Sequence, residues 1–157
     1  MRKRMITPAQ PQTASGSLDW LDVERLAEIE ITSEDPLHPI ESALLAGGES
    51  GWRAQGPGKQ IIRLIFAEPQ LLRRIWLEFE ENHAERTQEC VLRWSADRGQ
   101  SFHEIVRQQW NFSSSGATSE IEDYHVELPA VTVLELIIIP DISGGSAHAS
   151  LARLRLG

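Results

Sequence analysis

Aromatic rings stand next to planar polar side chains at Trp52-Arg53 and at Trp110-Asn111-Phe112, and His38, His83 and His148 fall in stretches rich in turn formers. That mix suits a small polyhydroxylated ligand. An aromatic face covers C–H surface, and guanidinium, amide and imidazole groups hydrogen-bond neighbouring hydroxyls. The candidate ligand-binding residues are therefore His38, Trp52, Arg53, His83, Trp110, Asn111 and His148, provided that the loops carrying them share one rim.

Covalent and metal chemistry have weaker support. Nucleophile elbows, phosphate-cradling loops, dinucleotide fingerprints and zinc-protease helices each have a spacing set by their chemistry, and none occurs here. No catalytic residue is expected, and the chain reads as a non-enzyme. Cys90 alternates in step with Leu92 and Trp94, which predicts a buried, inert thiol. The run Glu78, Glu80, Glu81, His83, Glu85 holds hard oxygen ligands and an imidazole, but alternation sends Glu78 and Glu80 to a solvent face. It reads as a solvated charge run. The histidines are not spaced as ligand pairs, so neither a metal nor a cofactor is expected.

The elements that must position the candidates are strands. Short apolar stretches between turn formers run from Leu26 to Thr32, Lys59 to Phe66, Leu71 to Glu81, Gln88 to Ser95, Phe102 to Trp110, Glu122 to Leu128, Val133 to Ile139 and Ser150 to Leu156, about eight candidates. Alternation is clearest at Ile75, Leu77 and Phe79 and at Cys90, Leu92 and Trp94. Val133 to Ile139 is apolar on both parities except at Glu135, as a central strand covered on both faces would be. Helix is expected only at Pro39-Ile-Glu-Ser-Ala-Leu-Leu, ahead of Gly47-Gly48. The fold class predicted is all-β, an antiparallel jelly-roll β-sandwich with one short helical turn. Function then belongs to the end loops, Ser33 to Pro57, Glu81 to Thr87, Asn111 to Ile121 and Asp141 to Ala149. Of these, the last two carry the glycine-serine runs Ser143 to Ser146 and Ser113 to Gly116, expected to order poorly without a ligand.

At 157 residues the chain suits one domain. Residues 1–17, rich in Pro, Gln, Ser and Thr, read as a mobile tail, and residues 18–157 as the sandwich. The tail holds Arg2, Lys3 and Arg4 and no acid, so of 15 basic residues 12 remain in the body against all 23 acids, a net charge of −11. Such a body repels polyanions, so nucleic acid is a poor partner. The longest apolar run, Leu136 to Ile139, is far below the roughly 18 residues of a membrane span, so no membrane is crossed. A lone cysteine and the absence of an apolar stretch behind the basic start fit a cytoplasmic protein.

The segment Ser42-Ala-Leu-Leu-Ala-Gly-Gly-Glu-Ser-Gly-Trp52-Arg-Ala resembles the discoidin or coagulation-factor type C family, the galactose-binding-like jelly roll that includes many carbohydrate-binding modules. There a helical turn leads to Asp-Gly, a short loop, Ser or Thr, then Trp; Gly47, Ser50 and Trp52 match. Lys59 to Phe66 and Leu72 to Phe79 look like that family's next core strands, and Trp94-Ser-Ala-Asp-Arg-Gly-Gln-Ser-Phe102 like its Ser-x-Asp-Gly hairpin with Arg98 as an extra residue. Family members with structural calcium place carboxylates where this chain has Ala46 and Arg153, which implies no calcium. The resemblance implies a non-catalytic module that binds a small polar ligand, a carbohydrate, on its loop rim. The alternative is a protein-interaction module or assembly subunit, whose acidic face with Glu78 and Glu80 would attract a basic partner.

Overall fold

Period-2 alternation drives most of the chain into strands, and every pairing between them is antiparallel. The computed structural model describes residues 20–45, 50–80, 85–113 and 119–157. The expected N-terminal tail, Gly47, Ala46 and His83 lie outside the described residues. Among those described there are two one-turn helices, α1 (Val23–Leu26) and α2 (Glu41–Leu44), and eight strands. The strands are β1 (Ala27–Ile31), β2 (Trp52–Pro57), β3 (Gln60–Glu80), β4 (Arg86–Ser95), β5 (His103–Phe112), β6 (Ser119–Ile139), β7 (His148–Leu151) and β8 (Arg153–Leu156). No helix among the described residues is long and apolar enough to cross a membrane.

The sheet order is β1-β3-β6-β4-β5, with β8 also paired to β3, and β2 pairs with β7 in a separate ribbon. Two long strands make this one sandwich. Along the first half of β3 the inward residues are Gln60, Ile62, Leu64 and Phe66; along the second half they are Ile75, Leu77 and Phe79. Side chains alternate with a strict period of two, so this change from even to odd requires extra residues at a bend. The β3–β6 register shifts between Ile65 and Arg74 supply it. The first half of β3 pairs with β1 and the second half of β6, while its second half pairs with β8 and the first half of β6. Ile62, Leu64 and Leu136 thus meet Leu77, Phe79 and Leu154 in one buried cluster, giving the jelly-roll β-sandwich expected from the alternation.

The strand count agrees with expectation while the segmentation differs. The stretches flanking Pro69 are one bent strand, as are those flanking Leu128 to Val131, and Ser150 to Leu156 is divided at Ala152. Trp52–Pro57 is a strand despite Gly56 and Pro57. The 94–102 hairpin is held by side chains: Asp97 accepts the Ser101 N–H at 2.9 Å and its hydroxyl at 2.6 Å. These bonds, the Ser101 hydroxyl foremost, hold the Asp97 carboxyl well below the usual carboxylate range. Arg98 adopts a φ of 63° and donates to the Phe66 and Ala67 carbonyls at 2.6 and 3.1 Å, tying this turn to the bend of β3. The turn at 141–146 is also built, with Asp141 accepting the Ser143 N–H at 3.0 Å and its hydroxyl at 2.7 Å. The residues at 114–118 lie outside the described set.

Candidate functional site

Trp52 opens β2 and is buried, 1% exposed, beneath a turn that it helps to hold. Its indole N–H donates to the Ser33 carbonyl at 3.0 Å. Above it the Asp35–His38 turn is tied to β2 on both sides: Asp35 N–H donates to the Arg53 carbonyl at 2.8 Å, and Arg53 N–H to the His38 carbonyl at 3.1 Å. The Leu37 N–H on the Asp35 carboxylate, 2.9 Å, tightens the turn. On the other side β7 pairs with β2, setting Ser150 opposite Arg53 and Leu151 opposite Trp52. The Ser150 hydroxyl then reaches the Glu80 carbonyl at 3.4 Å, at the end of β3.

These elements enclose an open pocket of about 200 Å3, lined by His38, Ser50, Trp52, Arg53, Glu80 and Ser150. Among the described residues neither the Arg53 guanidinium nor the Glu80 carboxylate has a hydrogen-bond or ion-pair partner. His38 Nδ1 is buried without a hydrogen bond, 3.6 Å from an Asp35 carboxylate oxygen. A cation, a carboxylate and an imidazole around one concavity can donate and accept toward a ligand rich in hydroxyls. Leu37, 79% exposed, stands beside His38. Trp52 is all but fully buried, so it offers this pocket no open stacking platform.

His38, Trp52 and Arg53 are therefore brought together, whereas the other described candidates are elsewhere. His148 sits on β7 with Nδ1 3.1 Å from the Ala54 carbonyl, joining β7 to β2. Trp110 packs inward from β5, its ring 5.2 Å from that of Phe79 and 6.4 Å from that of Phe112. Asn111 is occupied by a short hydrogen bond with the Thr87 hydroxyl. Sequence reasoning missed Glu80 and Ser150 as pocket residues; Ser50 carried a signal, the hydroxyl position of the resemblance. Glu78 does not belong to an open acidic face. β8 lies against it, and Arg153 binds its carboxylate at 3.1 and 3.2 Å.

A second polar group lies between the layers. Glu120, Glu122 and Tyr124 follow one another along the inward side of β6, and the Tyr124 hydroxyl donates to Gln108 at 2.9 Å. Desolvation first, and then the neighbouring Glu120, push the Glu122 carboxyl up to about 7. The same burial pushes the Tyr124 hydroxyl and the Cys90 thiol up. A carboxyl raised by folding binds more protons in the native than in the unfolded state, so its contribution to stability is present at low pH and is lost as pH rises. Thermal melts should fall between the ordinary glutamate value of 4.5 and about 7. Glu122→Gln should flatten that decline; an unchanged profile would show that Glu122 is solvated.

No family model matches the chain, and no curated protein matches its sequence. Solved structures do match its fold. The family 32 carbohydrate-binding module of NanJ from Clostridium perfringens, solved with galactose, aligns with a TM-score of 0.64 at 12% identity, over 87% of this chain and 96% of that one. The C-terminal domain of a chitobiase from Bacteroides fragilis gives 0.63 at 17% identity, over 88% and 97% of the two chains. The family 32 module of AlyQ, solved with 4,5-unsaturated mannuronic acid, gives 0.59 at 16% identity, over 84% and 95%.

Proposed function

We propose that this chain, a galactose-binding-like jelly roll by its fold, is a non-catalytic module that binds a single carbohydrate ring in the pocket between the 35–38 turn, β2 and β7. The observation that carries the reading is the pair of charges, Arg53 and Glu80, unpartnered among the described residues and lining the same polar concavity as His38. A sugar hydroxyl both donates and accepts, so vicinal hydroxyls use an arginine fork and a carboxylate together. The volume, about 200 Å3, is below the roughly 300–1,000 Å3 of drug-sized ligand sites and suits one ring rather than a chain. The fold neighbours solved with galactose and with an unsaturated uronic acid support a sugar as the ligand class. Glycoside hydrolysis uses two facing carboxyl groups; among the described residues only Glu80 lines this pocket with one.

Titration with a panel of neutral and acidic monosaccharides, followed by amide chemical shifts, tests this. Saturable shifts are expected at His38, Arg53 and Ser150. Arg53→Ala removes a charged hydrogen-bond donor, typically about 1.5–3 kcal/mol, and should weaken binding roughly tenfold or more with an unchanged melting temperature. Trp110→Ala should do the reverse, retaining binding and losing stability, because its ring packs on Phe79 and Phe112. No saturable shift across the panel would overturn the reading.

A further inference from the structure

β1 closes one edge of the large sheet, and among the described residues no strand lies beyond it. Just past its end, Thr32 N–H donates to the Ile61 carbonyl at 3.0 Å. Bonded and non-bonded pairs alternate along an antiparallel ladder. Glu30 and Glu28 therefore turn their backbone groups toward β3, and Ile31 and Ile29 turn theirs outward, while the Ala27 N–H is already taken by the Val23 carbonyl. Such a row is a template for one more strand.

Beside that edge runs a groove of about 320 Å3, walled by Val23, Ile29, Ile31 and Leu44, with Glu24 and Glu41 among its lining residues. Glu28 and Glu30 lie on the opposite, solvent-facing side of β1. Arg63 approaches Glu30 at 3.5 Å, while Glu24, Glu28 and Glu41 have no ion pair among the described residues. The edge thus offers an apolar trough on one face and acids on the other, in step with the period of a strand.

We propose that β1 accepts an extended segment of a partner protein as an added strand, the segment alternating Lys or Arg with β-branched apolar residues. Its backbone bonds to Ile29 and Ile31, its apolar side chains enter the groove, and its basic side chains face Glu28 and Glu30. A second copy of this chain fits poorly. Antiparallel pairing of β1 with itself about Ile29 sets Glu28 opposite a second Glu30, and like charges directly across a ladder are destabilising.

The test is a titration of the full chain with a short capped peptide alternating Lys and Val, read by amide hydrogen exchange. Saturable binding with new protection at Ile29 and Ile31 is expected, weakened roughly threefold to tenfold by Glu28→Lys. A peptide alternating Glu and Val should leave these amides unchanged. Equal binding by Glu28→Lys, or binding without that protection, overturns the proposal. So does protection already present without peptide, whether it grows with protein concentration, which gives the edge to a second copy, or is lost in Arg2→Glu/Lys3→Glu/Arg4→Glu, which gives it to the chain's own N-terminal segment.

Discussion

With Arg63 and Arg93 both replaced by leucine, the protein is expected to lose about 3–5 kcal/mol of stability, and to regain most of it when Glu135 is replaced by leucine as well. Glu135 is the single acid in the buried middle of β6, 0% exposed. Its neighbours in register are Arg63 on β3 and Arg93 on β4. Each lays its guanidinium across the sheet onto one carboxylate oxygen, with Nε 2.7 Å away in both cases. Apolar residues on both parities mark Val133 to Ile139 as a strand covered on both faces. Here the outer cover at Glu135 is this pair of arginine stems, and Arg93 in turn stacks over Phe102 at 4.3 Å. Without both arginines a buried carboxylate is left with neither water nor a cation, whereas three leucines pack as an apolar strip. Urea unfolding at constant m-value measures both changes. Equal stability of the double and triple variants would show that Glu135 reaches solvent unaided.

Trp52→Ala is expected to remove about 3–5 kcal/mol, comparable to the whole stability of a marginal domain, and to abolish ligand binding with it. The ring fills the space under the 35–38 turn and its N–H satisfies the Ser33 carbonyl. Trp52→Phe separates the contributions. It keeps most of the apolar volume and leaves that carbonyl without its donor, so a loss of about 1–3 kcal/mol is expected, with binding retained. The preceding residue admits no side chain at all. Gly51 has a φ of +70°, and a Cβ there would lie 2.8 Å from the Leu151 carbonyl oxygen and 2.9 Å from the Ala152 Cα. Both obstacles are backbone, so Gly51→Ala should part β2 from β7 and weaken the pocket from beneath.

What was legible in the sequence follows from range. Alternation at Ile75, Leu77 and Phe79 and at Cys90, Leu92 and Trp94 depends on neighbours two residues away, and all of these except the half-buried Trp94 are buried. The bend of β3 was not legible, because Glu68-Pro69-Gln70 reads locally as a break between strands. What keeps the strand whole is pairing with β6. Trp110-Asn111 and Trp52-Arg53 look alike as dipeptides, an aromatic beside a planar polar group. They differ in what the fold brings to them: Phe79 covers Trp110, whereas the 35–38 turn and β7 leave a concavity over Arg53. Glu80 and Ser150 joined the pocket through register alone, which no local pattern encodes.

The two bent strands also set a timetable for synthesis. β3 pairs with β6 from Gln60–Ile138 through to Glu80–Ser119, so neither layer can close until the ribosome has delivered the chain to about Ile139. Before that point β3 has β1 as its sole completed neighbour, and its inward rows, Ile62 to Phe66 and Ile75 to Phe79, stay open to other chains. Long-range pairing of this kind folds in about milliseconds to seconds, long enough for nascent molecules to meet. Slow translation between Glu80 and Ser119 is therefore expected to prolong the period in which these rows stay uncovered.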